Sequence, residues 1–330
     1  MSEGEKVKVG VVGVGALGRH HARLYKEIQD AGLVGVYDAS PERAAEIAKE
    51  FSVPAFESAE ALAEKCDALS VAVPATLHHK AAAPLLKMRR HVMMEKPLAA
   101  ALDEAKEIVS LARSNNLVLG VGHVERFNPA MDYLEKFAAN TRFIEAHRLA
   151  EYPPPRPGAH RRGTEVGVVL DLMIHDIDLA LSMVNSEVER FDAVGVPVLS
   201  ETEDIASVRI KFVNGGVANL TASRVSGESV RKFRVFQTDC YISMDYGKRT
   251  GLIVKKSQLG MARKSISLDE KNALKAELEN FVSCVRTAKE TGKITDPKVS
   301  GEQGLRALEL ALKITEEIKS YNERYGFKLP

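Results

Sequence analysis

Residues 7–22 read VKVGVVGVGALGRHHA, and they restrict the fold more than any other stretch. Val7, Val9, Val11 and Val12 form a short β-branched run that reads as a buried parallel strand. The run breaks into Gly13-Val14-Gly15-Ala16-Leu17-Gly18, after which a helical pattern begins. Strand, glycine turn and helix in that order suit a dinucleotide. Gly13 permits the tight turn, Gly15 lets backbone N–H groups approach a pyrophosphate, and Gly18 lets the helix pack closely on its strand. The phosphates then sit at the helix N-terminus, beside Ala16 and Leu17. A lone GxGxxG carries little weight, since a plain strand-to-helix turn can be glycine-rich. Here Asp38 closes the next strand, Leu33 to Tyr37, about 20 residues on, and that context strengthens the reading.

Beyond the turn, helical and strand patterns alternate. A helix runs from Ala16 to about Asp30, then strand 33–37, a helix opened by Ser40-Pro41, helix 58–65 and strand 68–73. A helix from about Thr76 to Met88, strand 91–94, helix 103–115 and strand 117–121 continue the series. This alternation predicts an α/β doubly wound parallel sheet. Asn128-Pro129 opens a helix to about Phe137, after which strand-like segments dominate, so the expected boundary divides 1–122 from 123–330. In the second part Val208, Ile210 and Phe212 alternate with Arg209 and Lys211. Asn214-Gly215 supplies a hairpin turn, and Ala218, Leu220 and Ala222 carry the return strand. An α+β domain follows, with a largely antiparallel sheet apolar on one face and open on the other. Two apolar stripes close the chain, Leu274, Leu278, Phe281, Val282 and Val285, then Leu305, Leu308, Leu312 and Ile318. They read as core, and the second helix is free to pack back on the first domain.

A length of 330 residues suits two domains, and a net charge of +1 gives no global field for nucleic acid or a membrane surface. No apolar run approaches the roughly 18 residues of a membrane span, and MSEGEKVKV is too charged for a signal peptide, so a cytoplasmic protein is expected. Cys66, Cys240 and Cys284 stand far apart outside any CxxC, which indicates buried thiols rather than a disulfide framework or a zinc site.

Three places carry chemistry. Asp38 is placed to accept hydrogen bonds from the adenosine ribose and to repel a 2′-phosphate, which favours NAD over NADP. Arg43 nearby is the contrary signal, and a helix-capping role for Asp38 is the structural alternative. Glu95-Lys96-Pro97 ends a strand at the carboxyl edge of the sheet, where such folds bind ligands. Pro74 and His78, after the neighbouring strand, line the same edge. In VVLDLMIHDID, Asp171 and His175 are spaced to share one helix face, pairing a carboxylate with an imidazole fit to accept a proton. A surface ion pair is the structural alternative. A metal held by Asp171, His175 and Asp178 is the weaker one, because hydride transfer beside a lysine needs no metal, so none is expected.

Together, GVGALG at 13–18, VPATLHH at 73–79, EKP at 95–97, GHVERFNPA at 122–130 and DLMIHDID at 171–178 resemble the Gfo/Idh/MocA family of nicotinamide-dependent sugar and cyclitol oxidoreductases. The resemblance implies a Rossmann domain and catalytic positions at Lys96, Asp171 and His175. Gly13, Gly15, Ala16, Leu17, Gly18, Asp38, Pro74, His78, Glu95 and Lys96 would lie at the cofactor. It also implies a homo-oligomer, dimer or tetramer, built through the open sheet face. Ala75 and His123 depart from the family's usual Asn and Tyr. The ERFNPA run and the arginine-rich loop resemble the subgroup acting on the 3-hydroxyl of UDP-N-acetylglucosamine, which adds Arg126 to the substrate residues. Arg148, Arg156, Arg161 and Arg162, just ahead of the aspartate, suit a diphosphate, although a solvated basic loop would look the same. A free sugar or inositol dehydrogenase and a non-catalytic NAD-binding sensor remain the alternatives.

Overall fold

The computed structural model describes residues 5–137, 141–154, 166–258 and 260–327. In chain order the first elements are β1 (Val7–Val12), α1 (Ala16–Glu27), β2 (Ala31–Tyr37), α2 (Pro41–Phe51), α3 (Ala59–Glu64) and β3 (Ala68–Val71). They are followed by α4 (His78–Lys87), β4 (His91–Met94), α5 (Leu102–Ser114), β5 (Leu119–Val121) and α6 (Pro129–Phe137). Next come β6 (Phe143–Leu149), α7 (Ile174–Val184), β7 (Val188–Val196), β8 (Ile205–Phe212), β9 (Val217–Ser223) and β10 (Val230–Phe236). The chain closes with β11 (Cys240–Asp245), β12 (Thr250–Ser257), β13 (Gly260–Ser267), α8 (Ala273–Thr291) and α9 (Gly301–Tyr325).

Two compact units result. One comprises residues 1–127 and 272–306, the other 128–271 and 307–330. The first holds a parallel sheet in the order β2-β1-β3-β4-β5. Its registers align Tyr37, Val12, Val71, Met94 and Val121, so the next residues, Asp38, Gly13, Ala72, Glu95 and Gly122, follow one another along one edge. The β1 valines are fully buried, as a strand covered on both faces requires. The helix expected to reach Asp30 ends at Glu27, where Ile28 turns extended and is itself buried, and β2 starts at Ala31.

Segment 272–306, expected in the second part, belongs to the first unit. Its α8 sets Leu278, Phe281, Val282 and Val285 into one buried cluster with Val7, Val9, Leu24 and Tyr25. The stripe in the sequence shows that these residues are buried, but carries no sign of which core receives them.

In the second unit an eight-stranded sheet runs β13-β12-β11-β10-β6-β9-β8-β7, antiparallel at every pairing except β6 with β9. Val208, Ile210, Phe212, Ala218, Leu220 and Ala222 join α6, α7 and α9 side chains in its core. On α9 the buried face is Ala307, Ala311, Ile314 and Ile318, so Leu305 and Leu312 of the expected stripe are only half-buried. The opposite sheet face is mixed: Arg234 bonds Glu145 at 2.8 Å and Arg209 bonds Asn219 at 3.2 Å, beside the packed rings of Phe143, Phe236 and Tyr241 and exposed Val194, Val196 and Ile205. No helix among the described residues is long and apolar enough to cross a membrane.

Phe281 anchors α8 in the first unit's core. Phe281→Ala should therefore lower its stability by about 3–5 kcal/mol, read as a shift in the urea unfolding midpoint.

Candidate active site

The first unit builds the dinucleotide turn from main-chain constraints. Gly13 has φ +83°, and a Cβ there would lie 2.7 Å from Val73 Cγ1. A Cβ on Gly18 would run into the Gly13 carbonyl oxygen. The turn is fastened to β2: Gly13 N–H donates to Tyr37 O at 2.8 Å and Val14 N–H to Asp38 Oδ2 at 2.7 Å. The other Asp38 oxygen accepts Ser40 N–H at 3.0 Å. Gly15 caps α1 with no side-chain hydrogen bond, open space surrounds it, and the first turn holds no acidic residue. Those N–H groups therefore suit a pyrophosphate. Arg43 donates through Nε to Val14 O at 2.8 Å and pairs with Glu46 at 2.7 Å, so its guanidinium is already engaged.

Beyond β3, Pro74 is exposed at the edge, whereas His78 is buried. Its Nδ1 lies 2.7 Å from Pro97 O and its Nε2 3.0 Å from Val73 O, and an N–H at either atom donates. Burial pushes its pKa down, and a neutral ring carries one N–H, so it donates to one of the two carbonyls while packing between the strand-end loops. Glu95 also turns inward. It is buried, its Oε1 is 2.9 Å from His21 Nε2, and its Oε2 accepts Lys96 N–H at 3.2 Å. Lys96 itself is half-buried on the edge. Arg126, expected at the substrate, is buried with Nη2 3.5 Å from Lys298 O.

In the second unit Asp171 lies within one turn of π-helix, Val169–Met173, and His175 in the first turn of α7, both half-buried. The regular helix expected across the pair is thus widened at Asp171, and such turns recur at functional sites. Arg148, expected in the diphosphate loop, is instead buried on β6, and its Nε and Nη2 hold Asp176 at 2.9 and 3.1 Å. Tyr246 completes this group, its oxygen 2.7 Å from Arg148 Nη2 and 3.2 Å from Asp176 Oδ1. The residue after His175 is thereby bolted to the sheet. Arg156, Arg161 and Arg162 lie outside the described residues.

A second buried pair, absent from the sequence reading, holds the approach to the π-turn. Arg224 Nε donates to Asp204 Oδ1 at 2.7 Å and Nη1 to Val166 O at 2.8 Å. Asp204 Oδ2 also accepts the N–H groups of Val198, Leu199 and Ser200. Arg224 lies two residues beyond Ala222, a buried position on β9, so strand alternation points it inward. The three cysteines are free and buried, and burial pushes Cys66 up to about 12. Among the described residues no group of three or more His, Cys, Asp or Glu could hold a metal ion.

Residues 7–123 match the Gfo/Idh/MocA oxidoreductase family, described by its NAD-binding Rossmann fold, and residues 139–243 match the family's C-terminal domain. The UDP-N-acetylglucosamine 3-dehydrogenase of Acidithiobacillus ferrooxidans is 34% identical over 325 residues, 96% of this chain and 99% of that one. A solved structure of the A. ferrooxidans enzyme superposes with a TM-score of 0.87 at 35% identity, over 96% and 99% of the two chains. Myo-inositol 2-dehydrogenase of Thermotoga maritima is 27% identical over 98% of each chain.

Burial opposes ionisation of Asp204, but three main-chain N–H groups, Arg224 and Ser200 outweigh it and hold its pKa at about 2, against 3.8 unfolded. A depressed carboxyl stabilises fully above the unfolded pKa, and the contribution fades as pH falls from about 4 towards 2. Asp204→Asn should therefore remove about 2 kcal/mol of stability at neutral pH. Its acid-unfolding curve should be flatter than wild type in that window, as followed by circular dichroism.

Proposed function

The chain belongs to the Gfo/Idh/MocA oxidoreductase family, and from that premise we propose that it oxidises a secondary hydroxyl of a sugar with NAD. The foremost substrate is UDP-N-acetylglucosamine, at its 3-hydroxyl. The observation carrying this reading is the arrangement of one sheet edge, with the dinucleotide turn, Asp38 and the Lys96 loop at aligned strand ends. The uncapped α1 N-terminus fits the pyrophosphate through Gly15, Ala16 and Leu17, and Asp38 fits the adenosine ribose. NAD, when bound, supplies the hydride acceptor.

The remaining chemistry belongs to the chain. Loss of a hydride and a proton turns the alcohol into a ketone, so a base and a charge stabiliser are required. His175 accepts the hydroxyl proton at a ring nitrogen, and Asp171 orients that ring. Lys96 offers its ammonium to the developing alkoxide. The 34% identical relative supports the nucleotide sugar. With Arg126 and Arg148 buried, recognition of the diphosphate falls to Arg156, Arg161 and Arg162. The Thermotoga relative favours a second reading, a free cyclitol or sugar, which needs no such arginines. Self-association through the open face of the second unit's sheet and a cytoplasmic location complete the proposal.

Absorbance of reduced nicotinamide over a panel of nucleotide sugars, free sugars and cyclitols tests the substrate. UDP-N-acetylglucosamine should turn over fastest, and Lys96→Ala should lose about 100-fold or more in kcat with NAD affinity little changed. Faster oxidation of myo-inositol or glucose would transfer the assignment to the second reading. Silence across the panel with NAD binding intact would indicate a sensor.

Asp38 should make NAD preferred over NADP. Asp38→Ala should narrow the gap by about tenfold, in fluorescence titrations, by weakening NAD and relieving repulsion of the 2′-phosphate. Equal binding of both dinucleotides by wild type would remove Asp38 from cofactor choice.

A further inference from the structure

Beneath the sheet edge, a buried chain of polar side chains joins the helix of the dinucleotide turn to the segment carrying Lys96. His21, on the face of α1 that follows Gly18, is fully buried, with Nδ1 3.0 Å from Ser70 Oγ and Nε2 2.9 Å from Glu95 Oε1. One turn further along α1, Tyr25 is buried with its hydroxyl 2.7 Å from the same Ser70 Oγ. Glu95 in turn accepts the Lys96 N–H. Gly122 admits the carboxylate, since a Cβ there would lie 3.0 Å from Glu95 Oε2.

Burial opposes ionisation of Glu95, but the hydrogen bond and charge of His21, with the charge and N–H of Lys96, hold its carboxyl below the usual range. A carboxylate only accepts, so His21 Nε2 carries the proton that bonds it. Ser70 Oγ lies 3.0 Å from His21 Nδ1 and 2.7 Å from the Tyr25 hydroxyl, within hydrogen-bond distance of both, and burial raises the Tyr25 pKa. Each of these polar atoms has a partner, the condition under which a buried polar network rigidifies its surroundings. The chain runs from α1 through β3 to the end of β4. From the other side, His78 Nδ1 lies 2.7 Å from the Pro97 carbonyl oxygen, so buried side chains meet the main chain on both sides of Lys96.

We propose that His21 is a positioning residue for Lys96. By donating to Glu95 it fixes the lysine segment to the helix whose N-terminus begins the dinucleotide turn, keeping the cation and the cofactor turn in one frame. The proposal rests on the role given to Lys96 above.

Two variants separate the hold on Glu95 from packing. In His21→Gln the terminal amide reaches the position of Nε2 and keeps a donor to Glu95 while losing the Ser70 contact. His21→Asn places its amide near Nδ1, keeps Ser70 company and leaves Glu95 without its donor. In assays with NAD and UDP-N-acetylglucosamine, His21→Asn should lower kcat about 10- to 100-fold with NAD affinity changed less than about threefold. His21→Gln should lose several-fold less. Amide hydrogen exchange over 92–98, which needs no substrate, should accelerate in His21→Asn and much less in His21→Gln. In a Lys96→Ala background, His21→Asn should add little, because its effect passes through Lys96. Equal exchange and equal kcat losses in the two single variants, or an undiminished loss in the Lys96→Ala background, would overturn the proposal. An error in the role of Lys96 shows separately, as near-normal turnover of Lys96→Ala alone.

Discussion

The placement of β1 between β2 and β3 is the constraint on which the first unit's chemistry depends. From β1 the chain crosses to β2 on one side, and the series β3, β4, β5 then grows on the other, so the connections diverge and leave a crevice at the carboxyl ends. The close approach there explains the sequence at the turn. Gly13 lies against Val73 and the Ala72 main chain, and Gly18 against Gly13, at distances that exclude a Cβ. The same alignment sets Asp38 on one side of the turn and the Glu95–Lys96 segment on the other, so the proposed cofactor cradle and the proposed catalytic lysine share one sheet edge.

In the second unit, the residues proposed for acid–base work, Asp171 and His175, lie on a segment held by buried ion pairs. Arg148, Asp176 and Tyr246 fasten the first turn of α7, and Arg224 with Asp204 fastens Val166 ahead of the π-turn. Buried pairs of this kind add little net stability compared with apolar packing, because both charges lose their water. Removing one partner is costly, however, and the geometry they impose is specific. For His175 they fix where its neighbour lies, and hence how the ring is presented.

Features written in local spacing were legible in the sequence. The glycine turn, Asp38, the strand ends and the Ser40 cap depend on residues a few positions apart, and they were found where expected. What long-range contact decides was not. Arg148 looked like part of a basic loop, yet Ile144, Ala146 and Arg148 alternate on one inward face of β6, a period visible in the sequence. His78 and Glu95 stand at the expected edge but turn inward, because partners 19 and 74 residues away claim their polar atoms. The stripe on α8 showed burial without naming the core, and the π-turn at Asp171 leaves no mark in residue spacing.

A crystal structure of the chain with NAD would test the central claim most directly, that one sheet edge unites cofactor and lysine. The pyrophosphate should lie on the N–H groups of Gly15, Ala16 and Leu17, the adenosine ribose on Asp38, and the nicotinamide within about 4 Å of the Lys96 side chain, contact distance for a reacting group. A nicotinamide bound out of reach of Lys96, or a ribose making no contact with Asp38, would contradict the account.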